Sequence, residues 1–262
     1  MGYRAGFLVA AAVGLVVAAG CGLTGGKDDS GDAAATAPSE PVFEPITESP
    51  TPEPVETTVT SKPATKPTKK ATAAPTEQPF WEQLPACAHR DSSKPVAKAK
   101  VKSALKSAAG RVYWQTSAPT LKLNYPLVKA VAWMESGWQS NIHNCDGGTG
   151  IMQVMPDTVT MINNRFGQSY DASKYQDNAY AGANYLAWLT KWASENYFAN
   201  SYNLSSSKCK STTSWCLLNV VIAGYNAGPG GIEGTAAGKK LPNPEYVATV
   251  RALMTRCKCD QY

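Results

Sequence analysis

A break in composition near residue 80 limits what this chain can fold into more than any other feature. From about Gly22 to Pro79 the sequence is rich in Pro, Thr, Ala, Ser and Glu, with almost no large apolar side chains and repeated punctuation such as Lys62-Pro63 and Lys66-Pro67. Such a segment has too little apolar surface to offset the entropy of ordering. Proline keeps it extended and semi-rigid, so it reads as a spacer. Any core must be built from Phe80-Trp81 onward, where tryptophans, tyrosines and helical periodicities begin and where six of the seven cysteines fall. A stretch of about 180 residues suits one domain with a single sizeable core.

The N-terminus indicates the compartment. Arg4 precedes an uncharged run from Phe7 to Ala19, followed by Gly20-Cys21. The run is shorter than the roughly 20 apolar residues of a membrane-spanning helix and has the proportions of a signal peptide. Ala18-Ala19-Gly20 before Cys21 resembles a bacterial lipobox, although Ala18 stands where leucine is commonest. The resemblance implies cleavage before Cys21 and acylation of that cysteine. An ordinary signal peptide cut near the same place is the other reading, which would leave the protein secreted. The expected organisation is a leader at 1–20, a lipidated cysteine and linker at 21–80, and a folded domain at 81–262. The expected location is the outer face of the cytoplasmic membrane, held through an N-terminal lipid.

Charge divides at the same boundary. Residues 81–262 carry 19 Lys and Arg against 11 Asp and Glu, a net +8, whereas 22–80 carry 5 against 9, a net −4. A basic domain on the outside of a cell suits an anionic polymer of the wall. Nucleic acid is not expected as a partner, because the chain is exported and has no basic-aromatic motif. Cys87, Cys145, Cys209, Cys216, Cys257 and Cys259 form an even set in an oxidising compartment, so three disulfides are expected among fifteen possible pairings. Cys209–Cys216 would close a short polar loop. Cys257 and Cys259 are too close in sequence to pair comfortably, so each is expected to reach to Cys87 or Cys145. Metal ligation is not expected from these residues: no CxxC occurs, and His89 and His143 lack ligand spacing.

Most of the domain reads as helix. Lys98 to about Gln115 and Asp177 to about Asn196 are two such segments, and Trp215 to Tyr225 is a central apolar one. Asn243-Pro244 starts a last helix. The Gly-rich stretch Asn144–Gly150 leads into a short β-like run, Ile151–Met155. The segment Tyr125–Gly137 carries the most informative residue. Asn124 can cap it, Pro126 fits its first turn, and Gly137 ends it. Leu127, Ala130, Val131 and Met134 make one face, and Val128, Ala132 and Glu135 a neighbouring stripe. Partial desolvation and the negative end of the helix dipole both favour a protonated carboxyl at Glu135. This helix alone leaves two readings open, a prepared general acid or a partly exposed glutamate at a fraying end.

Four segments in order bear on that choice: Glu135-Ser136, Gly150-Ile-Met-Gln-Val-Met-Pro156-Asp-Thr158, Ala181-Gly-Ala-Asn-Tyr-Leu186, and Ala223-Gly-Tyr-Asn-Ala-Gly-Pro-Gly230. Together they resemble the motif series of soluble-lytic-transglycosylase catalytic domains, which belong to the goose-type-lysozyme-like group. The likeness covers roughly 125–250. It implies a mainly α, lysozyme-like α+β domain with a small β element beside a cleft. The implied activity is cleavage of the β-1,4 bond between N-acetylmuramic acid and N-acetylglucosamine in peptidoglycan, giving 1,6-anhydro ends, with Glu135 as acid and then base.

The resemblance further implies that Ser136, Asn144, Met152, Gln153, Tyr225, Asn226 and Tyr246 line or orient the substrate site. Each also has a plain structural reading: core packing for Met152, helix capping for Asn226, a buried satisfied hydroxyl for Tyr246. Gly150 is expected to let the chain run close to the sugar path, and Ala181-Gly182 to be a helix-packing contact. Asn144 stands where many members of the family have serine, and Gly224 where alanine is usual. Ordinary glycosidases use two carboxylates. Asp157 is expected to cap the next helix, while Asp146 is the possible second carboxylate of a hydrolytic, lysozyme-like reaction. A wall-binding module without turnover is the reading from a different class. No metal or organic cofactor is expected, and the chain is expected to act as a monomer.

Overall fold

The computed structural model describes residues 78–262. In chain order the elements are β1 (His89–Arg90), α1 (Lys98–Gly110), α2 (Tyr125–Ser136), β2 (Ile142–His143), α3 (Pro156–Phe166), α4 (Tyr175–Tyr197), α5 (Leu217–Ala236) and α6 (Pro244–Thr255). Two short 3-10 turns, Ser206–Lys208 and Lys258–Gln261, complete the list. The domain is mainly α, as its periodicities predict. The expected leader, Cys21 and the linker up to residue 77 lie outside the described residues. Among the described residues no helix is long and apolar enough to cross a membrane.

Helix α2 is built by local signals. Asn124 Oδ1 accepts from the Leu127 N–H at 2.8 Å, Pro126 occupies the first turn, and Gly137 closes the helix in the left-handed region at φ 58°. The sequence pattern gave this helix one apolar face and a stripe, but it is buried nearly all round. Every residue from Leu127 to Met134 is buried, including Lys129, whose ammonium pairs with Asp260 near the chain end. It packs against α1 on one side and α6 on another, while α4 joins α1 to α5 and carries α3. Leu105, Leu127, Leu186, Leu189, Leu218 and Ile222 are all under 2 % exposed. Each such side chain contributes about 1.5–3 kcal/mol by leaving water.

The elements depart from the sequence expectations in three places. Helix α1 stops at Gly110 rather than near Gln115, because Arg111 is already extended. Helix α5 does not end at Tyr225 but runs on to Ala236 through a kink. Gly228 provides the break at φ 70°, ψ 170°, and Pro229 starts the second half, where a missing N–H costs nothing. Ile151–Met155 is a turn rather than a strand, joined only through the single bridge Thr149↔Val154. The sheet among the described residues is instead the antiparallel pair β1–β2, with His89 opposite His143 and Arg90 opposite Ile142.

Two disulfides follow from this layout. Cys87–Cys145 continues the β1–β2 register by one like-facing pair, and Cys209–Cys216 closes the expected short loop. The third corrects the sequence reading: Cys257 and Cys259 bond to each other, and neither reaches Cys87 or Cys145. Cys257 is extended and leads straight into the 3-10 turn, which brings the two Cα atoms to 5.0 Å, within reach of a disulfide. The chain end is fixed by other means, through Asp260 to Lys129 and through Tyr262 beside the Trp133 ring.

Candidate active site

Glu135 lies in the last turn of α2 and is half-buried. Its Oε1 accepts a hydrogen bond of 2.5 Å from the hydroxyl of Tyr246, a buried residue of α6. Tyr225, from α5, is the second tyrosine at this place. Burial, then the Glu135 carboxylate, then Tyr185 push its phenol well above the usual value, and it stays a neutral donor. That hydroxyl donates to the Met152 carbonyl at 2.8 Å. The end of α2 is held from outside by Trp81, whose indole N–H donates to the carbonyls of Trp133 at 2.9 Å and Met134 at 3.1 Å. A Cβ at Gly137 would meet the Trp81 ring at 3.0 Å, so the glycine serves both the turn and the close approach.

The turn after the Gly-rich loop is clamped by a residue the sequence reading missed. Asn178 of α4 is fully buried, accepts from the Met152 N–H at 2.9 Å, and donates to the carbonyls of Thr149 and Ala172 at 2.8 and 2.9 Å. A polar residue inside an apolar helix face was the available signal, since a buried amide needs partners. Gly150 is pressed against this clamp: a Cβ there would sit 2.6 Å from Asn178 Nδ2. Its close approach is therefore to α4, which corrects the expectation that it borders the sugar path.

Gln153 adopts φ 47°, uncommon for a residue with a side chain. Its amide donates to the carbonyls of Ile142 and Gly150 at 3.1 and 2.7 Å, and these two acceptors fix which end of the amide is oxygen. Oε1 is buried without a hydrogen-bond partner. A cavity of about 300 Å³ opens here, lined by Asp146, Gln153, Thr158, Tyr185, Tyr225 and Asn226 among others.

The predicted site residues therefore divide. Gln153, Tyr225, Asn226 and Asp146 share the cavity, and Tyr225 also belongs with Glu135 and Tyr246. Ser136 and Met152 do not face the cavity; both are 0 % exposed. Ser136 ties the end of α2 to the Ile151 carbonyl at 2.7 Å, and Met152 packs on Gly182, with its backbone holding Tyr225. Ala181-Gly182 is thus the packing contact its composition suggested. Asn144 closes the loop at its root, where its Oδ1 accepts from the Cys145 N–H at 2.8 Å, and it is not part of the cavity lining. Asn226 is exposed and accepts from Asn243 Nδ2 at 2.6 Å, pinning α5 to the start of α6. Asp157 lies in the first turn of α3 without capping it; the cap position is Met155.

The family model described as the transglycosylase SLT domain matches residues 112–241. The chain carries a transglycosylase SLT domain. The matched span includes Glu135, Gln153, Tyr225 and Asn226, whereas Tyr246 lies just beyond it. Among solved structures, the SLT domain is similar to the 70 kDa soluble lytic transglycosylase of Escherichia coli, at 22% identity and a TM-score of 0.39. That likeness covers 54% of this chain and 22% of the other, so the chain spans less than a quarter of that protein. The family match identifies the domain, and the distant structural likeness adds no weight to it. No curated protein matches the chain.

Proposed function

We propose that this SLT domain cleaves the β-1,4 bond between N-acetylmuramic acid and N-acetylglucosamine in peptidoglycan, with Glu135 as the single acid and base. The observation that carries the proposal is the fixed Glu135 carboxyl, at the end of a buried helix and held by the Tyr246 hydroxyl, inside the span matched by the family. Protonated Glu135 donates to the leaving glycosidic oxygen as the bond from C1 breaks. The carboxylate then takes the proton of the muramoyl 6-hydroxyl, whose oxygen closes on C1 and gives the 1,6-anhydro end. The proton returns to Glu135, and no water is consumed. Tyr225 supports the turn that carries Gln153 to the wall of the cavity.

Asp146 favours a second reading. Its carboxylate lines the same cavity, and a second carboxylate there would activate water for hydrolysis. We assign it no part in the bond cleavage, because Gly148 N–H already occupies Oδ1 at 3.1 Å and holds it within its own loop. Digestion of purified peptidoglycan followed by mass spectrometry separates the readings. Anhydro ends support the proposal, reducing ends support hydrolysis, and no release from the wild type leaves a binding module. The proposed setting is a lipid anchor at Cys21, with the spacer carrying the domain into the wall.

A further inference from the structure

Pairing of β1 with β2 places the only two histidines of the chain opposite one another. The rings of His89 and His143 stack with centroids 4.9 Å apart. Asp91 follows His89 by two residues and so shares its face. Its Oδ2 is 3.0 Å from His143 Nε2 and its Oδ1 is 3.9 Å from His89 Nε2. One ligand atom from each of the three lies within 4.8 Å of the others. We propose that His89, Asp91 and His143 form a binding site for a divalent transition-metal ion of the zinc class, outside the lining of the cavity shared by Asp146, Gln153 and Tyr225.

The donor set selects the ion. Two imidazoles and one carboxylate suit zinc and its neighbours, whereas magnesium and calcium take oxygen ligands. With metal–ligand bonds of about 2.0–2.2 Å, two ligands on a tetrahedral ion stand roughly 3.4 Å apart. The His143–Asp91 pair is already that close, and the His89 ring, 65 % exposed with Nε2 at 3.9 Å from Asp91 Oδ1, has room to turn toward it. The remaining coordination position faces solvent and takes water.

The surroundings hold the three in place. Asp91 N–H donates to the Asn141 carbonyl at 2.8 Å, while Asn141 Nδ2 donates back to the carbonyls of Asp91 and Ser93 at 3.0 and 2.7 Å. The Cys87–Cys145 disulfide lies two residues from each histidine and locks the strand register. On the far side of His143, Nδ1 is 3.3 Å from Thr149 Oγ1, and that hydroxyl donates to the Gly147 carbonyl at 3.2 Å. In the tautomer with its hydrogen on Nδ1, Thr149 accepts from that nitrogen and the Nε2 lone pair is left beside the Asp91 carboxylate, open to a metal ion. A hydrogen bond on the second ring nitrogen is also what orients metal-bound histidines. Because β2 leads directly into Asn144–Gly150, the ion fixes the root of the loop that carries Asp146 to the cavity.

The test uses the full chain without an affinity tag and with Cys21→Ser, so that no free thiol competes for metal. After chelator treatment and dialysis, zinc chloride is titrated calorimetrically, with magnesium and calcium chloride in parallel. One zinc per chain and no uptake of the other two ions are expected. His89→Gln and His143→Gln should each weaken binding at least tenfold. Cobalt(II) should give visible d–d bands in the parent and none in the double variant. Thermal unfolding in chelator must be the same for parent and variants, which shows that the variants fold. Failure of the parent to take up zinc would overturn the site, as would undiminished uptake by the double variant.

Discussion

Tyr246→Phe isolates the contact on which the proposed chemistry depends. The ring stays in place, because Tyr246 is 2 % exposed and phenylalanine fills the same space, so only the O–H donation to Glu135 Oε1 is lost. A hydrogen bond to a charged group contributes about 1.5–3 kcal/mol. Rate changes tenfold for about 1.36 kcal/mol, so kcat should fall by about 10–150-fold if the bond aims the carboxyl during the reaction. KM should hardly change if the hydroxyl acts only by aiming Glu135. If the same bond contributes about 1.5–3 kcal/mol to folding, its loss lowers Tm by about 3–12 °C for a domain of this size. Steady-state release of muropeptides from purified peptidoglycan, with a thermal melt of the same sample, measures all three quantities. An unchanged kcat, or a change confined to KM, would refute the role given to Tyr246.

Other substitutions probe the supports around the site. Gly182→Ala places a Cβ 2.5 Å from Met152 Sδ and 2.7 Å from Met152 Cβ, a clash that should cost about 1–3 kcal/mol in denaturant unfolding. Because the Met152 carbonyl holds Tyr225, activity should fall with stability. Asp146→Asn should leave anhydro products and their rate within about threefold of the parent, a change of under about 1 kcal/mol; a collapse in turnover would favour the two-carboxylate reading. Asp260→Asn removes the partner of buried Lys129 and should cost about 1–2 kcal/mol near neutral pH, reduced by the half-exposed position of Asp260. The hydrogen bond from Lys129 is the main cause holding the Asp260 carboxyl below its usual value. The stability it brings is therefore present above the unfolded value of about 3.9 and fades as pH falls through the lower folded one. Urea unfolding of parent and variant should converge in that acid range; a gap that persists there would contradict the linkage.

What could be read from the sequence was what local signals determine. Asn124, Pro126 and Gly137 bound α2 because capping and turn geometry act within a few residues. Glu135 could be singled out because a carboxylate breaks an apolar pattern; of the residues the motifs named, Tyr225 lies near it, while Gln153 and Asn226 share a cavity with Tyr225. Contacts made across the chain were not visible. A two-residue strand such as β1 has no periodicity to detect, so the meeting of His89 with His143 and the bridge from Cys87 to Cys145 had no local sign. The Cys257–Cys259 pair depended on a 3-10 turn that the spacing of the cysteines alone does not specify. Ser136 and Met152 were placed at the cleft by the motif, yet their side chains turn inward and only Met152's backbone serves the site. The apolar run ends at Tyr225, yet α5 continues to Ala236, because Gly228 takes up a kink and Pro229 restarts the helix.

The central claim is that one carboxyl, Glu135, breaks the glycan by an internal transfer without water. Digestion of peptidoglycan in ¹⁸O-labelled water, followed by mass spectrometry of the new glycan ends, tests it most directly. The account predicts anhydro ends without label from the wild type and no release above background from Glu135→Gln. Labelled reducing ends, or release by Glu135→Gln equal to that of the wild type, would contradict it.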